Sequence, residues 1–184
     1  TTNPLNVTVN NPALRATTTY KLEARKGFRN DSIGSKLYFS IEAELEDNAV
    51  GRRVTYNTAT GGYTSMADNV DGNWNARLKF GYERPVDRKK RLRAIIDGHV
   101  GYTHSVDFDM AYDTDATMLS KVNTLDTYLR LMLNYKYKKL SLGALAKVNA
   151  RNSNGTAENF TNANTYDYKY GVSLQYTLPV INVT

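Results

Sequence analysis

The chain has 184 residues, no cysteine, 14 tyrosines and a formal charge of +6. Without thiols there is no disulfide framework and no thiolate metal site, and no apolar run approaches the ~20 residues that a membrane-spanning helix needs. The basic residues are dispersed among apolar ones, which argues against a nucleic-acid partner; their one cluster, Arg88-Lys89-Lys90-Arg91, falls at an expected turn.

Seven stretches alternate apolar and polar residues, and in a strand that alternation sends the two classes to opposite faces. The first covers about Thr18 to Lys26, with Tyr20, Leu22 and Ala24 on one face and Lys21, Glu23 and Arg25 on the other. A turn around Asn30-Asp31 and Gly34 leads to the second, where Leu37, Phe39, Ile41, Ala43 and Leu45 oppose Tyr38, Ser40, Glu42 and Glu44. This strand can continue irregularly to Tyr56. The connection from Asn48 to Gly72 is long and polar, and its Thr60-Gly61-Gly62 suits the tip of a small hairpin.

The third strand sets Trp74, Ala76, Leu78, Phe80 and Tyr82 against Asn75, Arg77, Lys79, Gly81 and Glu83, and Pro85 closes it for lack of a ladder donor. The fourth, Leu92 to Phe108, is the longest; Arg93, Asp97, His99, Thr103, Ser105 and Asp107 lie largely on its polar face. An acidic loop, Asp109 to Lys121, follows. The fifth strand presents Thr127, Leu129, Leu131, Leu133, Tyr135 and Tyr137 against Tyr128, Arg130, Met132 and Asn134. Leu125, Leu129, Leu133, Tyr137 and Leu140 also fit helical spacing, but the period-two match is longer and continues into both neighbours. Lys138-Lys139 turn tightly into the sixth strand, Leu140 to Val148, and a loop rich in Asn, Thr and Gly spans Arg151 to Thr165. The seventh runs from Tyr166 to Leu178, Pro179 ends it, and Ile181 to Thr184 reads as the opening of another strand.

The links alternate short and long, and aromatics gather at strand ends. Tyr82, Tyr135, Tyr137 and Tyr176 sit beside short turns; Trp74, Phe108, Tyr166 and Tyr168 sit beside long loops. Aliphatic residues fill the middle. Two aromatic belts around an aliphatic band match the two interfaces of a bilayer. The expected fold class is therefore all-β, with antiparallel up-and-down strands forming part of a large transmembrane β-barrel. Glu42, Glu44, Arg77, Lys79, Arg93, Asp97 and Lys169 are expected to face a wide lumen, because a small packed barrel has no room for so many charges. Seven strands cannot close such a cylinder, so residues 1–184 read as one partial barrel domain excerpted from a longer chain.

Chemistry is sparse. His99 and His104, five residues apart, fall on opposite faces of a regular strand and cannot share one metal. Asp107, Asp109, Asp113 and Asp115 cluster without the spacing of a calcium loop. Glu42, Glu44 and Glu46 form a solvated row along one strand, and no nucleophile-elbow, P-loop, zincin or dinucleotide motif is present. Neither catalysis nor a cofactor or metal is expected. Loops carrying Tyr56, Tyr63, Asn152, Asn159 and Asn162 suit sugars or other polar ligands.

Two short motifs carry a family resemblance. Asn11-Pro12-Ala13-Leu14-Arg15, followed by Thr19-Tyr20-Lys21-Leu22, resembles a segment of Bacteroidetes outer-membrane β-barrel proteins of the TonB-dependent receptor superfamily. That family reads N-P-x-L-[RK]-P, whereas this chain has Ala16 at the second proline position. Asn69-Val70-Asp71-Gly72-Asn73-Trp74 is similar to the family's N-[VI]-x-G-N-W opening of a strand. The resemblance implies the C-terminal part of a ~22-stranded plugged barrel in the outer membrane of a Gram-negative bacterium. Its implied partners are membrane lipid, the rest of the barrel and its plug, and TonB acting through that plug. The implied cargo is a bulky nutrient such as a metal chelate, cobalamin or a glycan. The alternative is a soluble all-β carbohydrate- or ligand-binding module of the bacterial envelope.

Overall fold

Each of the seven alternating stretches forms a strand in the computed structural model, which describes residues 5–113, 117–157 and 160–178. Asp115, Asn159, Pro179 and the expected strand opening at Ile181 lie outside the described residues. The seven strands are β2 (Thr18–Asn30), β3 (Ser35–Asp47), β6 (Asn73–Pro85), β7 (Leu92–Phe108), β9 (Leu119–Tyr137), β10 (Leu140–Gly155) and β11 (Ala163–Tyr176). Four short strands accompany them: β1 (Asn6–Val9), β4 (Ala49–Asn57), β5 (Gly62–Val70) and β8 (Ala111–Tyr112).

The seven make one antiparallel meander in the order β11-β10-β9-β7-β6-β3-β2, so each expected strand lies beside its expected neighbours. The helical alternative for residues 122–150 is overturned, because both halves of that stretch are strands paired with each other. Short links are closed by turns that fit their residues. Gly34, at φ 80°, donates to the Asn30 carbonyl at 2.7 Å. Asp87 accepts from the Leu92 backbone N–H at 2.7 Å, and Lys138 takes the left-handed conformation that a two-residue hairpin turn requires.

Most strand ends run past the sequence expectation, the exception being the C-terminal end of β11, which stops at Tyr176 rather than Leu178. β9 starts at Leu119 rather than Thr127, β10 runs to Gly155, and β11 starts at Ala163. The acidic and Asn-rich loops are correspondingly shorter. Backbone pairing does not require apolar side chains, and polar pairs such as Thr124 and Ser153, whose hydroxyls lie 3.0 Å apart, continue the ladder past the apolar band.

Register keeps the apolar residues on one face across all seven strands. One row reads Phe28, Leu37, Tyr82, Ile96, Leu131, Ala146, Tyr170. It lies two residues before the end of β2 at Asn30 but six before the end of β11 at Tyr176, so strands shift progressively along the sheet. The sheet is open among the described residues: β2 and β11 are its free edges.

The connection between β3 and β6 is not a loop. Glu46 pairs with Asn73, and beyond the break Ala49 pairs with Val70 and Asn57 with Gly62, so β3–β4 and β5–β6 are one long hairpin in unbroken register. Its upper half bends away at Asn48 (φ 53°) and Gly72 (φ 104°) and recruits β1 and β8 as parallel partners into a separate four-stranded sheet. The main buried apolar cluster among the described residues sits at this bend: Ala49, Val70 and Val106, with Phe108 packed against them. Elsewhere the apolar face is bare. Leu131 is 44% exposed, Leu142 41% and Val172 89%.

Candidate functional site: the charged face and the joint at its rim

The face opposite the apolar one carries a lattice of ion pairs. Glu42 accepts two hydrogen bonds from the Lys79 ammonium, at 2.6 and 2.7 Å, and lies 3.8 Å from Arg25. Glu44 meets Lys21 at 3.1 Å. Arg77 lies 3.6 Å from Asp126, which also holds the His99 ring nitrogen at 2.8 Å, and His99 stacks on Tyr128. Arg93 pairs with Glu83. Asp97, 9% exposed, accepts from the Arg130 guanidinium at 2.9 and 2.6 Å. Direct cross-strand opposition sets up Lys21 with Glu44 and Asp97 with Arg130, whereas Lys79 reaches Glu42, and Arg93 reaches Glu83, diagonally across neighbouring strands.

Six of the seven residues expected to face a lumen are thus in ion pairs on one surface. Lys169 stands apart, directly opposite Lys147 at the β11 edge, with no ion pair among the described residues. Asp126 was missed by the sequence reading, which began the strand at Thr127. The signal was present, since the polar series Arg130, Tyr128 continues back in steps of two to Asp126 and Thr124. Replacing Arg130 with Met is expected to cost about 1–2 kcal/mol, because the buried Asp97 is left without its donors. Denaturant titration of folded protein measures this, and Asp97→Asn combined with Arg130→Met should cost less than the sum of the single changes.

On the apolar face, Trp74 stacks on Tyr102 at 5.2 Å between centroids and on His104 at 6.1 Å. The two histidines therefore lie among different faces' residues, as their odd spacing requires. Tyr137 is flanked by Arg91, 4.3 Å from its ring centroid, and by Lys138 at 5.5 Å. Tyr82 and Tyr135 line shallow apolar grooves, and Tyr166, Tyr168 and Tyr176 stand exposed on β11. Phe108 is placed differently from its expected position in a belt: it packs against the cluster at the bend, where β4 approaches so closely that a Cβ on Gly51 would lie 2.8 Å from the Phe108 ring.

The bend joins the two short motifs. Asn69 accepts from the Arg15 N–H at 2.6 Å and donates to the Arg15 carbonyl at 2.9 Å. Asn11 donates to Asp68 at 3.0 Å and to the Ala67 carbonyl at 3.1 Å. Asp71 accepts from the Asn48 N–H, and Asn73 from the Val106 N–H, each at 2.6 Å. The motif residues are therefore the fastenings of a joint that holds the protruding hairpin to the sheet. Nothing in the local sequence pairs segments 54 residues apart. Beneath the joint lies a cleft of about 540 Å³ whose lining includes Glu46, Asn73, Asn75, Thr103, Ser105 and Asp107. Its amides, hydroxyls and carboxylates suit a hydrated or polyhydroxylated solute. Tyr56 and Tyr63 pair across the outer hairpin instead of lining this cleft.

Of the acidic loop residues, Asp113 has a defined role. It accepts from the Thr58 hydroxyl and from the Thr58 N–H at 2.8 Å, and these two bonds, in that order, hold its carboxyl below the usual carboxylate range. A carboxyl lowered in the folded state stabilises above its unfolded value, and that contribution is lost as pH falls through the folded value. The contact between the β8 end and the hairpin tip is thus expected to loosen only in strongly acid solution. The Thr58 amide resonance should follow that titration, and should cease to do so in Asp113→Asn.

Set against protein-family models, curated proteins and solved structures, the chain matches none.

Proposed function

We propose that the chain is a wall segment of an outer-membrane β-barrel of the TonB-dependent receptor kind, contributing to uptake of a bulky nutrient. The observation that carries this reading is the bare apolar face. A seven-strand sheet presents Leu131, Leu142, Val172 and their rows to the outside, and no layer of the described residues covers it. In water such a face demands a second layer; in lipid it demands none, because the solvent is itself hydrocarbon. The charged lattice on the other face, the progressive strand shift that barrel tilt produces and the rings at the strand ends support the same reading.

In this role the charged face borders a water-filled or plugged lumen, and the cleft under the joint lies where solute enters. The open edges at β2 and β11 pair with further strands of the parent barrel. Energy would arrive through a plug contacted by TonB. Catalysis forms no part of the proposal.

Fractionation tests the reading. The protein is expected in the outer-membrane fraction, folded in detergent and aggregated when detergent is withdrawn. Recovery as a folded species in detergent-free buffer, with Leu131 and Leu142 shielded from water, would refute it and favour the soluble binding module.

A further inference from the structure

The end of the sheet that carries the short turns is basic. Arg84, Arg88, Lys89, Lys90 and Arg91 surround the β6–β7 turn, and Lys136, Lys138 and Lys139 surround the β9–β10 turn. The neighbouring carboxylates are engaged, Glu83 by Arg93 and Asp87 by the Leu92 N–H. The two turns touch: Lys136 donates its N–H to the Arg91 carbonyl at 2.9 Å, and the Tyr137 ring holds both the Arg91 guanidinium and the Lys138 ammonium. Among the described residues, no carboxylate forms an ion pair with Arg84, Arg91 or Lys138. Arg84 lines a groove of about 420 Å³ in the apolar face, together with Tyr82, Val86, Ala94, Ile96 and Leu131, and Arg91 directly precedes Leu92 at the head of β7, the strand that supplies Ala94 and Ile96.

We infer that this groove and its basic rim bind an anionic phospholipid of the leaflet at the short turns, a site that rests on the wall reading above. An acyl chain lies along Ala94, Ile96 and Leu131, and the phosphate meets the cations of Arg84, Arg91 and Lys138. Charge complementarity selects the occupant. Cations fixed on an aromatic ring at the interface and left without carboxylates favour a phosphate diester of net negative charge over a zwitterionic headgroup. A neutral lipid would fill the groove but leave the cations unanswered.

Vesicles of phosphatidylcholine, with and without a minor fraction of phosphatidylglycerol, test the site, with retained lipid counted by native mass spectrometry after extraction. The intact parent barrel carrying this wild-type wall is expected to retain phosphatidylglycerol preferentially. Arg84→Gln, Arg91→Gln and Lys138→Gln together should lower that preference about tenfold while insertion proceeds; Lys21→Gln, on the charged face, should leave it intact. Insertion without a preference, or a preference unchanged in the triple variant, overturns the lipid site and leaves the wall reading standing. Failure of the intact parent barrel to insert into either vesicle overturns the wall reading and this site with it.

Discussion

Replacing Leu131 with Arg is expected to destabilise the lipid-inserted protein by about 2–4 kcal/mol, the cost of an arginine near the bilayer midplane on a barrel's outer face. Leu131 occupies the middle of β9, in the row shared by Ile96 and Ala146, with flanking strands on both sides. An arginine there can reach neither interface without bending its whole side chain along the wall. The measurement is a denaturant titration in lipid vesicles, following the folded population. The comparison variant is Lys79→Gln on the opposite face, which loses only a half-exposed ion pair with Glu42 and should cost less than about 1 kcal/mol. The sign of the Leu131 result is decisive. In a water-soluble sheet a 44% exposed leucine becomes an arginine at almost no cost, so a near-zero change would remove the membrane reading.

Gly72→Ala should cost about 1–3 kcal/mol, for two independent reasons. Its φ of 104° lies where residues with a Cβ are strained. The added Cβ would also meet the Val106 Cγ2 at 3.2 Å, inside the tight apolar cluster at the bend. The damage should be local. Amide exchange is expected to accelerate over 49–70, where the protruding hairpin depends on the bend, while β9 and β10 keep their protection. Loss of protection throughout the seven-strand sheet would instead mean that the joint supports the wall.

Much of the wall was legible from residue order because a strand reports its faces locally. The alternation in Leu37 to Leu45 or Leu92 to Phe108 dictates which side chains share a surface, whatever the neighbours are. Turns were legible for a similar reason at Pro85, Asp87 and Gly34, which act through their own backbone preferences, whereas Lys138 is held at its φ of 51° by the two strands that close on it. The outer strand ends were not, since Leu119 to Asp126 and Arg151 to Gly155 pair through backbone groups and carry no apolar rhythm to mark them. Asp126, the carboxylate shared by Arg77 and His99, was marked only by the polar half of the alternation that runs back from Arg130 and Tyr128.

Residue order alone therefore determined the seven wall strands, their meandering sequence and the division into an oily and a charged surface, because each follows from periodicity and short-range turn chemistry. The tertiary structure alone decided which charges meet, that Asn11 to Arg15 fastens to Asn69, and that the hairpin leaves the sheet at Asn48 and Gly72 to cover Phe108. Those outcomes depend on register between segments far apart in the chain, and register is a property of paired strands that no single stretch contains.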